Sequence, residues 1–250
     1  KTLAFSTISL KNVISENAED ISNDSRDLTC MVANILVESL MNGGANRYAE
    51  RKIRFNENDE IIMWERLGGS RRIGSTGGIV WNSSKVLASM IVNGRPRISS
   101  LDGCGEDEVW VYDDNEKLAR SSAAFWRRAR VIELGAGCGL AGLAAACLRD
   151  AAHVTLTDLA VMMGTLRKNI EANSASRKIR CTARTLDWTR PPAWFFEKQE
   201  RSEKTYNVIL SCDCVFGNTK GWNALIDKIL VRYMRDVDPD AIVLLVFEER

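Results

Sequence analysis

One histidine, His153, is all that this 250-residue chain contains. A single imidazole without ligand spacing argues against a histidine-built zinc site and against a Ser-His-Asp relay. An excess of one charge is lacking too. The 34 Lys and Arg residues against 33 Asp and Glu leave a formal net charge of +1, so no global field selects nucleic acid or a membrane surface. The short basic clusters, at 70–72 and 126–130, are balanced by acids elsewhere and read as solvated faces; no nucleic-acid partner is expected. No apolar run reaches the roughly 18 residues of a membrane span. No C-x-x-C pair exists among the seven cysteines, and their number is odd. That usage indicates reduced thiols, and hence a cytoplasmic or nuclear compartment, rather than a disulfide framework. Cys212-Asp213-Cys214 has no partner cluster, so no metal is expected. There are no internal repeats. The first residue is Lys1 rather than methionine, which leaves an upstream targeting segment open.

What is present is enough hydrophobic sequence, 45% of residues, to build a sizeable core. Residues 1–27 are polar and read as a weakly ordered lead-in, followed by a helix from Leu28 to Met41 that Gly43-Gly44 ends. Residues 52–55 and 60–65 flank Asn-Glu-Asn-Asp, a hairpin signal. A Gly-rich turn precedes a helix that starts near Asn82 or Ser83. Residues 93–130 are acidic and weakly periodic and read as an insertion loop.

From residue 131 the pattern is regular: strands at 131–134, 154–157, 179–183, 208–211 and 241–247, with helices at 139–148, 160–173 and 220–235. Strands alternating with helices predict a Rossmann-like, doubly wound, mostly parallel α/β sheet. Its ligand belongs outside the carboxyl ends of the strands. The organisation expected is a lead-in with a helix over 1–50 and one α/β domain over 51–250.

The first strand runs into VIELGAGCGLAGL, residues 131–143. Gly137, Gly139 and Gly142 satisfy G-x-G-x-x-G, the dinucleotide fingerprint. In that fingerprint, however, the first glycine follows the strand directly. Here that glycine is Gly135, and counting from it the last position falls on Leu140. Glu133, two residues before Gly135, would repel a pyrophosphate. It suits a cofactor with a cationic amino-acid end and no phosphate, which describes S-adenosylmethionine. Asp158, at the end of the next strand, is placed to accept hydrogen bonds from two ribose hydroxyls, a role common to both cofactor classes.

Three further segments join the glycine turn: GGIVWNSS at 77–84, LDW at 186–188 and SCDCVF at 211–216. Together with ELGAGCGLAGLAAA and TDL…LRKNIEAN, they resemble the methyltransferase-like family of seven-strand (class I) protein lysine methyltransferases, which modify chaperones, elongation factors and related ATPases. The resemblance covers residues 50–92 and 131–250. It implies that Trp81 closes over the cofactor, that Glu133, Gly135, Ala136 and Gly137 form the turn at its methionine end, and that Asp158 holds the ribose. Asp187 and Trp188 would flank the adenine, and Asp213 with Phe216 would match an acid-x-x-aromatic motif near the methyl group and the incoming lysine. The remaining tryptophans, Trp222 among them, match no motif and read as core or surface.

This chain departs from the family in three ways. Phe216 stands where tyrosine is usual. The 93–130 insertion is long. The sequence ends at Arg250, before a further helix and an antiparallel strand pair, which implies a sheet without its last strands. The expected activity is methyl transfer to a lysine of a partner protein by a monomer that needs no membrane. A small-molecule N-methyltransferase, a dinucleotide oxidoreductase and a non-catalytic cofactor-binding protein remain alternatives.

Overall fold

In the computed structural model, residues 3–7, 48–66, 76–93, 123–175, 177–197, 205–214 and 219–248 are described. The helix expected over 28–41, most of the 93–130 insertion and Phe216 lie outside them. The strands are β1 (Leu3–Thr7), β2 (Tyr48–Arg54), β3 (Glu60–Arg66), β4 (Arg130–Leu134), β5 (His153–Asp158), β6 (Cys181–Thr185), β7 (Val208–Cys212) and β8 (Ile242–Glu248). The helices are α1 (Asn82–Asn93), α2 (Ala123–Arg128), α3 (Leu140–Leu148), α4 (Met163–Ser174), α5 (Thr219–Asn223) and α6 (Arg232–Asp236). A π-helical run, Ala224–Val231, joins the last two.

The main sheet has the order β1-β8-β7-β4-β5-β6, and β2 and β3 form a separate antiparallel hairpin. β4 to β8 are parallel, as the sequence implies. Two expectations change. Leu3–Thr7 is not part of a loose lead-in: it pairs antiparallel with β8, so the sheet carries an antiparallel edge strand drawn from the N-terminal side. Part of the presumed insertion loop is helix α2, whose Trp126 is buried in the core.

Period-two alternation splits the core into two layers. Val131, Val208, Leu210, Leu244 and Val246 face one side with α1, α3 and the hairpin residues Ile61 and Met63. Ile132, Leu134, Ile209, Val243 and Leu245 face the other, under Leu225, Ile229, Leu230 and Tyr233. Both faces of the parallel strands are therefore covered, which is why these strands read as nearly continuous apolar runs. Arg149 reaches back to donate hydrogen bonds to the carbonyls of Ile91 and Val92, satisfying the C-terminal end of α1.

The hairpin is held by a different device. Asn169 and Asn173 lie one turn apart on α4 and present their amides to the edge of β3. The Asn169 side chain accepts from the Trp64 N–H at 2.6 Å and donates to the Trp64 carbonyl at 3.3 Å. Asn173 does the same for Ile62, at 3.0 and 2.7 Å. Two side chains thus take the place of a neighbouring strand.

Candidate cofactor site

The chain runs β4, β5, β6 toward one edge and returns through β7 and β8 on the other side of β4. That reversal opens a crevice at the carboxyl ends of the strands, where open α/β sheets bind ligands. A cavity of about 560 Å³ occupies it. Its floor is the turn from Gly135 to Gly139, and its walls come from the ends of β5 and β7, the Leu186–Thr189 loop, and the segment around Gly77, Ile79, Val80 and Trp81.

The turn can be this tight because of its glycines. Gly135 and Gly137 have φ of 61° and 56°, where L side chains are disfavoured. A Cβ on Gly135 would lie 2.7 Å from the Cys214 Sγ and 3.0 Å from the Trp188 ring. One on Gly137 would lie 3.0 Å from the Gly77 carbonyl oxygen. Cys138 donates its thiol to that same carbonyl at 3.3 Å, so the turn and the N-terminal roof are in direct contact.

Glu133 takes a position that its charge alone did not reveal. It shares the α3 face of β4 with Val131, and its carboxyl is buried and accepts from the Gly142 N–H at 2.9 Å. It is not among the cavity-lining residues. Burial pushes its carboxyl up to about 8, outweighing the Gly142 hydrogen bond, with Asp158 raising it further. Gly142, the last glycine of the dinucleotide register, serves packing: a Cβ there would be 2.3 Å from Leu156.

The carboxylates that do face the cavity are Asp158, Asp187 and Asp213. Asp158 accepts from the Gly137 and Leu159 N–H groups, both at 2.7 Å, leaving one lone pair on each oxygen for a ligand. Its burial raises its pKa, while these two bonds lower it. Asp187 accepts from both the N–H and the hydroxyl of Thr189, which fixes the loop that carries Trp188. Asp213 is buried, follows β7 with a left-handed φ of 53°, and donates its N–H to Val246 at 2.7 Å. A non-glycine residue held there is a constrained backbone position beside the cavity. No lysine, arginine or histidine occurs among the described lining residues. His153 lies at the opposite end of β5.

Trp81, Gly135, Ala136, Gly137, Asp158, Asp187, Trp188 and Asp213 thus converge on one cavity, with Glu133 behind its floor. Sequence reasoning missed Trp222, Cys138, Cys212, Cys214 and Met162, all of which line it. Trp222 carried no motif, but α5 begins just past the Asp213 segment, and that proximity was the available signal. The Cys214 thiol donates to the Leu134 carbonyl at 3.3 Å, and burial pushes it up to about 12, so it is an uncharged packing group. Ile79 and Leu159 are large apolar side chains that stand exposed at the cavity.

A protein-lysine N-methyltransferase of Saccharomyces cerevisiae, EFM6, is 30% identical over 59% of this chain and 65% of its own length. The protein N-lysine methyltransferase METTL21A of Xenopus tropicalis is 36% identical over 64% of this chain and 55% of its own. The chain therefore spans less than two thirds of either relative. Among solved structures, a SAM-dependent methyltransferase from Agrobacterium tumefaciens aligns over 83% of this chain and 55% of its own at 17% identity, with a TM-score of 0.48. The family model described as lysine methyltransferase matches residues 56–250, which includes the hairpin from its turn onward, the glycine turn and every residue named at the cavity, and the chain belongs to that family.

Proposed function

We propose that this chain is an S-adenosylmethionine-dependent methyltransferase acting on a lysine side chain of a partner protein. One observation carries the cofactor reading: the cavity presents three carboxylates and no cationic side chain among its described lining residues. A pyrophosphate would meet uncompensated like charge there. A sulfonium cation with an ammonium end meets complementary charge, and its uncharged adenosine fits the apolar remainder. The glycine turn allows a ligand to approach the backbone closely.

Bound S-adenosylmethionine would supply an electrophilic methyl group and a neutral thioether leaving group. The protein's part is to bind and align. Asp158 would accept the ribose hydroxyls, and Trp188 and Asp187 would hold the adenine end. Asp213 orients the incoming amine, and Trp81 closes the roof. Phe216 is assigned the wall of the lysine channel on resemblance alone. Glu133 supports the turn from behind. The lysine must give up a proton, from an ordinary pKa of about 10.4. Weakly hydrated aromatic and apolar walls favour its neutral form.

The acceptor class is supported by the relatives, which include a calmodulin-lysine N-methyltransferase of Arabidopsis thaliana and an EEF1A lysine methyltransferase of Xenopus tropicalis. A folded protein acceptor, a monomeric enzyme and a cytoplasmic or nuclear site of action complete the proposal. No helix among the described residues is long and apolar enough to cross a membrane. Calorimetry tests the cofactor: S-adenosylmethionine should bind and a nicotinamide dinucleotide should not, and the reverse result overturns the reading. Mass spectrometry of lysates treated with the enzyme tests the acceptor. Methylated lysines should appear with wild type and fall roughly 100-fold with Asp213→Ala, the scale expected when alignment is lost. Methyl label recovered only in extractable metabolites would overturn a protein acceptor.

A further inference from the structure

We infer that Glu65, on the hairpin, is a positioning residue for cofactor binding, acting through the backbone of Val80. The inference rests on the proposed cofactor. Glu65 is in β3, on the same buried face as Ile61 and Met63. A carboxylate on that face requires partners, and it has two. One oxygen accepts from the Val80 N–H at 2.7 Å, and the other pairs with Arg51 of β2. Val80 is the residue before Trp81, and both line the cavity. The hydrogen bond therefore fixes the roof at the point where it enters the site.

The hairpin in turn is fixed to the cavity floor. Asn169 holds Trp64, the neighbour of Glu65 in β3, and its amide also donates to the Cys138 carbonyl at 2.9 Å. Cys138 follows Gly137 in the turn and closes the loop by its thiol bond to Gly77. A closed circuit results: turn, Asn169, β3, Glu65, Val80, roof, and back to the turn. Every link is a directional hydrogen bond or a covalent neighbour. In this circuit Glu65 is the link that reaches the roof from the hairpin, at a charge-assisted bond stronger than a neutral one. With it removed, the roof keeps its contact at Gly77 but loses the register of Val80 and Trp81.

The measurements are S-adenosylhomocysteine affinity by calorimetry, hydrogen exchange at the Val80 amide, and thermal unfolding, for wild type, Glu65→Met, Glu65→Gln and Arg51→Ala. Glu65→Met keeps side-chain volume and removes the acceptor. It should weaken binding at least tenfold and deprotect the Val80 amide at unchanged global protection of β4. Glu65→Gln keeps an acceptor oxygen and should recover most of the affinity, which a purely structural role would not require. Arg51→Ala should bind within about twofold of wild type, because the bond to Val80 remains. Should Glu65→Met fail to fold, Glu65→Gln and Arg51→Ala still separate the acceptor from the charge. If Arg51→Ala weakens binding tenfold or more, the ion pair and not the Val80 bond sets the roof, and the inference is overturned. It is also overturned if Glu65→Met binds as wild type does. Absence of binding by wild type overturns the proposed cofactor and this inference together; binding by wild type that Glu65→Met does not alter overturns the inference alone.

Discussion

The parallel sheet and the hairpin are held in place by different forces. In the sheet, buried apolar side chains alternate across β4, β7 and β8 to two covered faces, and the holding energy is spread over many small contacts. The hairpin does contribute Ile61 and Met63 to one of those faces. Its register against the body, however, is set by Asn169, Asn173 and Glu65, each bonding backbone more than ten residues away. Distributed packing tolerates the loss of one contact. A register made of three polar side chains does not, because each removal unpairs backbone groups: the Val80 N–H for Glu65, and both the N–H and the carbonyl of a β3 residue for each asparagine.

The largest effect therefore belongs to Asn169. Asn169→Ala leaves the N–H and carbonyl of Trp64 and the carbonyl of Cys138 without this partner. At ~1–3 kcal/mol for each buried group left unsatisfied, the loss should be roughly 3 kcal/mol or more. Chemical denaturation measures it, and hydrogen exchange should show β3 opening before β4. Equal opening of both would mean that the hairpin is held by packing as the sheet is. Next comes Gly142→Ala, a test of the sheet side. The new Cβ would meet Leu156 at 2.3 Å and the Glu133 carboxyl at 2.8 Å. Overpacking of this kind costs about 1–3 kcal/mol, and exchange should rise across β4 and β5 together rather than in the hairpin.

Glu133 gives a pH-dependent test of the same side. Its carboxyl is raised from an ordinary 4.5 to about 8 in the folded protein. Between those values the folded chain keeps a proton that the unfolded chain has lost, so stability from this group falls as pH rises, and it levels off above about pH 8. Glu133→Gln removes the titration. The stability of the variant relative to wild type should therefore grow by roughly 2 kcal/mol from pH 6 to pH 8, at up to about 1.36 kcal/mol per unit. Parallel stability curves for the two proteins would show that the carboxyl is already ionised in the fold.

The same contrast explains what could be read from the sequence. Strand and helix order from residue 131 follows from periodicity; Gly135 and Asp158 were placed by the strand ends they follow, and Trp188 and Asp213 by the family resemblance. Glu133 was read for its charge, yet its parity with Val131 put it on the α3 face; alternation held that information and the charge argument bypassed it. Trp222 was missed because the fold brings it to the cavity through a helix whose sequence has no motif. The pairing of Leu3–Thr7 with β8 joins opposite ends of the chain, a contact that no local pattern encodes. The roles of Asn169 and Asn173 were hidden for the same reason. Both lie in the LRKNIEAN segment that carries the resemblance, but only their bonds to residues more than a hundred positions away define what they do.

The smallest expected effect lies where the two regimes meet. The Lys168 ammonium stands 4.0 Å over the Trp64 ring and 5.6 Å from that of Tyr48, on the same helix as Asn169. Asn169 holds the backbone of Trp64, so Lys168 acts on the hairpin either by its charge or by its stem shielding those hydrogen bonds from water. Lys168→Met keeps the stem and removes the charge. It should cost only about 0.5–1 kcal/mol, the range for a partly exposed cation–π pair, and leave exchange at Trp64 nearly unchanged. Lys168→Gly removes the stem as well, and exchange at the Trp64 amide should then rise beyond what the lost helix propensity of about 1 kcal/mol explains. A double-mutant cycle with Asn169→Ala decides between the roles. If shielding matters, Lys168→Gly and Asn169→Ala couple and Lys168→Met and Asn169→Ala do not. Equal coupling in both cycles would assign the contribution to the charge, and the hairpin would then be held partly by electrostatics that salt can weaken.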